Sequence, residues 1–349
     1  MHANDDAAGR ARGALCGLAI GDALGMPTQL LPRARVAALF PTLTGFQAGP
    51  PENAISAGQP AGAVTDDTQQ ALIVARLLVA GKGRFDADRF VAELLAWAHD
   101  AEADGSEQLG PSSRRALEAI QRGVAPDEAG RHGDTNGAAM RIAPVGIVVP
   151  VEPLTRLVDR VEEVCRPTHF TGLAISGAAA VAAAVSAGVG GASVAEAVSL
   201  ARAAARLGCA RGAYSPGASV AERIRWAVDL AGRFDEASAL DAITDLVGTG
   251  VATQEAVPAA FALAARWPSD PWEACLQAAR LGGDSDTIGA ITGAIVGACT
   301  GVTAFPAAAL EVIRRVNALD LAELADGLLA VRRALADGGG REIREGPAA

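Results

Sequence analysis

A chain of 349 residues can bury a large core, and its formal charge of -10 argues against a binder of nucleic acid. The 30 basic residues are arginines except for Lys82, and the pairs Arg114-Arg115, Arg314-Arg315 and Arg332-Arg333 are too scattered to build a basic stripe. Half of the residues are hydrophobic but only 4% are aromatic, so small side chains, above all alanine and glycine, must fill the core.

The first residues, Met1 to Asp6, are polar and acidic, unlike a signal peptide. Gly13, Gly17, Gly21 and Gly25 then recur every four residues in an apolar stretch, which puts them on one helix face where another backbone can approach. After a connection over Thr42 to Gly62, the segment Thr68 to Ala80 carries Ala71, Leu72, Ala75, Leu78 and Val79 at helical spacing, and Asp88 to His99 continues in that style. Asp104 to Ser113 reads as a connection into a helix start at Pro111, and Pro126 to Gly137 as a second connection. Ile142 to Val151 is the one strand-like stretch, and its Pro144 and Pro150 oppose a central strand.

Leu173 to Ala195 and Ile288 to Leu310 each run about 23 residues without a charge, long enough to span a bilayer. Both are rich in Ala, Gly, Ser and Thr, and Pro306 interrupts the second, so buried helices are expected and no membrane span. Val194 to Leu207 and Val220 to Ala231 read as helices, with connections at Gly208 to Ser219 and Trp267 to Pro271. A second ladder, Gly289, Gly293, Gly297 and Gly301, predicts that two glycine-faced helices lie in the tight centre of the fold. No stretch resembles a linker between domains, so residues 1–337 are read as one domain and 338–349 as a disordered tail. Five widely spaced cysteines without a CxxC pair read as small buried hydrophobes in a reducing, cytoplasmic setting.

The chemistry concentrates in two acidic motifs. Thr65-Asp66-Asp67-Thr68 precedes an apolar helix, and by itself it reads as a helix start with the acids at the positive end. Gly282-Gly283-Asp284-Ser285-Asp286-Thr287 enters the second glycine-laddered helix, and capping explains only one of its acids. Together, four carboxylates and several hydroxyls without clustered His or Cys form a hard-oxygen set suited to Mg²⁺ or Mn²⁺, and four acids suit two ions better than one. EF-hand, HExxH, P-loop and GxSxG patterns are absent from the sequence. A third element, Arg131 to Arg141, holds the glycine-bracketed loop Gly133-Asp134-Thr135-Asn136-Gly137, which suits a ligand contact or an ordinary turn. His169, in Pro167-Thr168-His169-Phe170, reads as a core or capping histidine.

Taken in order, Gly13 to Gln29 (GALCGLAIGDALGMPTQ), Thr65 to Thr68, Gly110 to Arg115, Asn136 to Arg141, Thr168-His169 and Gly282 to Gly297 resemble the ADP-ribosylglycohydrolase family. That family includes dinitrogenase-reductase-activating glycohydrolase and hydrolases that remove ADP-ribose from proteins. The resemblance implies an all-α, single-domain orthogonal helical bundle with a binuclear centre of two Mg²⁺ (or Mn²⁺). It implies Thr65, Asp66, Asp67, Asp284, Asp286 and Thr287 as metal ligands, with a substrate ribose bridging the ions. Gly133, Asn136, Gly137, Met140 and His169 would shape the substrate cleft, and Ser285 would lie beside it. Where the family's ADP-ribosyl hydrolases commonly close the first motif with a glutamate, this chain has Gln29, an amide that can bind substrate but cannot take a proton. Proton transfer then falls to Asp66 or Asp67, with Asp284 as a further catalytic acid.

The implied function is metal-dependent hydrolysis of an N- or O-glycosidic bond at ribose, removing ADP-ribose from a modified protein or small molecule. One alternative keeps the chemistry and takes a nucleoside-like or other small ribosyl substrate. A second is a non-catalytic, ADP-ribose-binding or crystallin-like relative, which four acids facing one cleft argue against. Neither nucleic acid nor membrane is an expected partner, and an ADP-ribosylated protein is a candidate target.

Overall fold

In the computed structural model, which describes residues 3–103 and 109–342, eighteen α-helices are joined by short 3₁₀ and π turns. The fold class is all-α: among the described residues the only β-structure is a pair of isolated bridges, Thr135 to Ala252 and Thr171 to Ala213. In chain order the first half contains α1 (Ala3–Gly25), α2 (Arg33–Leu39), α3 (Asp66–Ala80), α4 (Ala87–Ala103) and α5 (Pro111–Gln121). Two single turns, α6 (Pro126–Ala129) and α7 (Gly137–Met140), lead to α8 (Ala143–Val148) and α9 (Leu154–Cys165). Then come α10 (Gly172–Val189), α11 (Val194–Cys209), α12 (Val220–Ala231), α13 (Glu236–Ala242) and α14 (Thr253–Arg266). The chain finishes with α15 (Pro271–Leu281), α16 (Ser285–Thr300), α17 (Ala307–Asn317) and α18 (Leu321–Glu342).

Expected and observed helices coincide for α12, and α3 starts two residues earlier than its apolar periodicity, because Thr65 caps it. The strand-like stretch at Ile142 is a buried helix instead, with Pro144 in the first turn, where its missing N–H costs nothing. Cys209 departs from the expected burial: it is the last residue of α11 and is exposed, while the other four cysteines are buried. Backbone of α18 continues beyond Asp337 to Glu342, and residues 343–349 of the expected tail lie outside the described residues.

α10 is long and apolar enough to cross a membrane, yet all of it is buried inside the fold. Beside it, α1 and α16 pack antiparallel with their backbones in contact. A Cβ added at Gly13, Gly17 or Gly21 would sit well under 3.0 Å from the carbonyl oxygen of Gly297, Gly293 or Gly289, and the converse additions meet the same oxygens' counterparts in α1. Gly25 continues the series against the backbone of Ser285 and Asp286. Gly301 does not pair in this way; it ends α16 with φ +89°, a conformation that glycine adopts without strain. Two arginines finish the centre by capping carbonyls at helix C-termini. Arg10 donates to Gly188 and Cys299, and Arg332 donates to Gly146, Ile147 and Val149.

Gly21→Ala forces a methyl into the Gly289 carbonyl and should destabilise the protein by about 1–3 kcal/mol, the range for overpacked cores. Gly9→Ala, in the same helix with nothing within 4 Å, should leave the melting temperature unchanged or raised. Equal melting temperatures for the two variants in calorimetry would contradict the backbone contact.

Candidate active site

Asp22 is the only charged residue in the apolar run from Gly13 to Gly25, and it is fully buried. Its carboxylate accepts from Thr65 N at 3.0 Å, Thr68 N at 3.1 Å and Thr68 Oγ1 at 2.5 Å, so α1 holds the start of α3. Within that start, Thr65 Oγ1 accepts from Asp67 N at 3.4 Å and donates to Asp67 Oδ2 at 3.3 Å. One turn on, Gln70 Nε2 donates to Asp66 Oδ2 at 2.9 Å. Asp67 Oδ1 is buried with no partner.

The second motif is aimed by its two glycines. Gly282 and Gly283 have φ of +69° and +62°, and a side chain at either would strike the backbone of Leu31 or Thr249. Their turn is pinned by Leu30 N to Gly283 O, Gly283 N to Leu31 O and Asp284 N to Thr249 O. From it Asp284 faces Asn136, whose Nδ2 donates to Asp284 Oδ2, and Asp286 follows in the first turn of α16. Asp286 Oδ1 is the second buried carboxylate oxygen without a partner. Ser285 points elsewhere: its Oγ lies 2.9 Å from Thr28 Oγ1 and donates to Gly25 O, joining α16 to the end of α1.

The polar loop before α7 is clamped from both sides. Asn136 N donates to Val251 O, Thr253 Oγ1 to Asp134 O and Thr171 Oγ1 to Gly133 O. Gly133 lies against the backbone of Thr168 and His169, so it sets the loop's position behind the cleft. His169 is buried behind Thr135 and Gly137, with Nε2 at 3.1 Å from Thr135 Oγ1 and Nδ1 at 2.8 Å from Thr168 Oγ1. Burial, then the charges of Arg141 and Arg115, hold its pKa well below that of an ordinary histidine, so the ring is neutral.

These elements enclose a cleft of about 260 Å³. Gln29, Asp66, Asp67, Asn136, Gly137, Met140, His169, Asp284, Asp286 and Thr287 line it, as do Leu30, Ser113, Arg114 and Thr135. Thr65, Gly133 and Ser285 are not on its surface. The Gln29 amide donates from Nε2 to Met26 O at 3.2 Å. Sequence reasoning included Thr135 in the ligand loop but missed Asp22, Gln70 and Arg141. A usable signal existed for two of them, because Asp22 and Arg141 are each the lone charge in an apolar run and must find partners when buried.

Burial pushes the carboxyls of Asp66, Asp67 and Asp286 well above the usual range, and neighbouring acids push them further. For Asp66 these are Asp22 and Asp284; for Asp67, Asp286 and Asp66 lead; for Asp286, Asp284 and Asp22. Asp22 and Asp284 rise to about 6 through burial, opposed by their hydrogen bonds. Among the described residues no three His, Cys, Asp or Glu side chains close on one point as a ready-made metal cage. The donor set nevertheless fits a divalent cation: it is all oxygen, two of its buried oxygens lack any donor, and positive charge would reverse the mutual repulsion.

Comparison with known proteins shows the family and the fold. The ADP-ribosylglycohydrolase family model matches residues 3–337. An uncharacterized protein of Escherichia coli, YegU, is 38% identical over 325 residues, covering 93% of this chain and 97% of the relative. ADP-ribosylarginine hydrolase Tri1 of Pseudomonas putida is 33% identical over 153 residues, 41% of this chain and 37% of the relative. ADP-ribosyl-(dinitrogen reductase) glycohydrolase of Rhodospirillum rubrum is 30% identical over 145 residues, 41% of this chain and 46% of the relative. A solved ADP-ribosylglycohydrolase-related protein complex superposes with a TM-score of 0.68 at 27% identity, over 94% of this chain and 99% of that one. With its motifs in order on an all-α fold and a family match along nearly its whole length, the chain belongs to the ADP-ribosylglycohydrolase family.

Proposed function

We propose that the protein is a metal-dependent hydrolase that cleaves the glycosidic bond at ribose C1 and releases ADP-ribose from a modified protein or small molecule. The observation that carries this reading is the convergence of Asp66, Asp67, Asp284 and Asp286 on one cleft, with Asp67 Oδ1 and Asp286 Oδ1 buried and unpartnered. These acids, with Thr287, would hold two Mg²⁺ or Mn²⁺ ions, with the expected ligand Thr65 bracing Asp67 from behind the cleft, and the ions would supply charge to orient ribose hydroxyls and lower the pKa of water. Asp66 has Oδ2 occupied by Gln70, which leaves Oδ1 to take the proton of the attacking water and pass it to the departing nitrogen or oxygen. Carboxylates of Asp67 and Asp284 offset positive charge developing at C1, with Asn136 fixing the orientation of Asp284. Gln29 binds substrate through its amide and moves no proton.

The names of the Tri1 and Rhodospirillum rubrum relatives support an ADP-ribosyl substrate, since both refer to ADP-ribosylated groups. A small ribosyl metabolite is the second reading. It is favoured by the amide of Gln29 on the cleft and by the limited overlap with those two relatives, about two fifths of this chain. Free cysteines throughout support a reducing, cytoplasmic setting.

Assayed against ADP-ribosylarginine, ADP-ribosylserine, O-acetyl-ADP-ribose and nucleosides, the protein should release the ribosyl product with Mg²⁺ or Mn²⁺ and lose turnover with a chelator. Asp67→Asn should lower turnover at saturating Mg²⁺ by about 100-fold or more, and wild-type turnover would overturn the assignment. Melting in the presence of Mg²⁺ or Mn²⁺ at 100 times its Kd should show about 2.7 kcal/mol of added stability for each site filled. No stabilisation by Mg²⁺, Mn²⁺ or ADP-ribose would favour a non-catalytic relative.

A further inference from the structure

We propose that the buried Arg141 is a positioning residue which, acting through Thr168 and His169, turns the Thr135 hydroxyl into a hydrogen-bond donor aimed at an oxygen acceptor of the substrate. The role assigned to substrate rests on the hydrolase reading above; the relay itself does not.

Arg141 has no exposed surface, and its guanidinium lies 5.0 Å from the centre of the Phe90 ring. Nη1 donates to Gln70 Oε1 at 2.8 Å and Nη2 donates to Thr168 Oγ1 at 2.6 Å. A guanidinium has donors only, so each partner must turn a lone pair toward it. Gln70 then has its oxygen on Arg141 and its NH₂ on Asp66 Oδ2, which fixes the amide in one of its two orientations. Thr168 Oγ1, already accepting from Arg141, has its own hydrogen left for His169 Nδ1 at 2.8 Å.

The neutral imidazole has one N–H, and with Nδ1 accepting, that hydrogen sits on Nε2. Nε2–H donates to Thr135 Oγ1 at 3.1 Å. Thr135 lines the cleft, and its hydroxyl, with one lone pair engaged from behind, has its hydrogen for whatever the cleft holds. The acceptor is an oxygen with a free lone pair, such as a phosphate, carbonyl or hydroxyl oxygen of the substrate. From a single cation, one arm of the network orients Asp66 and the other sets the polarity of Thr135, both on the cleft.

The relay is read directly by ¹⁵N NMR of histidine-labelled protein, since the chain has only four histidines and the measurement needs neither metal nor turnover. The wild type should show one buried ring protonated at Nε2 and bare at Nδ1. Thr168→Val removes the hydroxyl while preserving side-chain shape, and should move the Nδ1 resonance of that ring to that of a bare nitrogen accepting no hydrogen bond, in a protein that still melts cooperatively. An Nδ1–H ring in the wild type, or an unchanged Nδ1 resonance in Thr168→Val, would overturn the relay. On an accepted substrate, Thr135→Val should raise KM about tenfold with little change in kcat, and Thr135→Ser should restore it. An unchanged KM in Thr135→Val would remove Thr135 as the donor. Absence of turnover on every substrate would count against the hydrolase reading and leave the tautomer result to decide the relay.

Discussion

Direct contact between the backbones of α1 and α16 is the constraint on which the rest of the molecule depends. Glycine at every fourth position removes the side chains that would otherwise hold two helices about 8–10 Å apart. What the lost side chains forgo in burial is offset by dispersion contacts between main chains along four turns. The functional consequence appears at one end of the contact. Gly25 lies against Ser285 and Asp286, so the second acidic motif is fixed to the end of α1. Asp22, one turn earlier on α1, gathers the amides of Thr65 and Thr68 and fixes the first. Two motifs from opposite ends of the sequence are thereby held by one helix.

Electrostatically the site is costly in isolation. Carboxylates are withdrawn from water and raise one another's pKa, and few donors answer them: Gln70 for Asp66, Thr65 for Asp67, Asn136 for Asp284, and Thr68 with backbone amides for Asp22. Such a cluster is tolerated because the scaffold is over-determined by its buried helices and by arginines that cap helix ends away from the cleft. Arg141 is the exception among these arginines. Its hydrogen bonds go to Gln70 and Thr168, which in turn hold Asp66 and His169 on the cleft.

Much of this was legible from the chain alone. Helical periodicity located α3, α4, α11 and α12, and four-residue glycine spacing announced a close backbone approach between two helices. The acidic motifs were legible as types and positions. Their partners were not, because contacts such as Asp22 with Thr65 or Asn136 with Asp284 join residues far apart in sequence. Ser285 illustrates the limit: adjacent to two cleft acids, it faces Thr28 and Gly25 because successive positions on a helix point in different directions. Gly133 lies in the recognised loop but serves its packing, and Cys209 is exposed because the end of α11 turns its last residue outward. Lone charges in apolar runs, as at Asp22 and Arg141, were the available clue to buried polar networks.

If the acids of the cleft hold cations as proposed, glycine packing and cation binding are coupled at one end of the α1–α16 contact. Mn²⁺ titration followed by electron paramagnetic resonance on Gly25→Ala and Gly13→Ala measures that coupling most directly. Both methyls would clash with backbone of α16 or the segment after it, but only Gly25 abuts Asp286. Mn²⁺ affinity should fall at least about tenfold in Gly25→Ala, or about 1.4 kcal/mol, and stay at the wild-type value in Gly13→Ala. Equal affinities in the two folded variants would contradict that coupling.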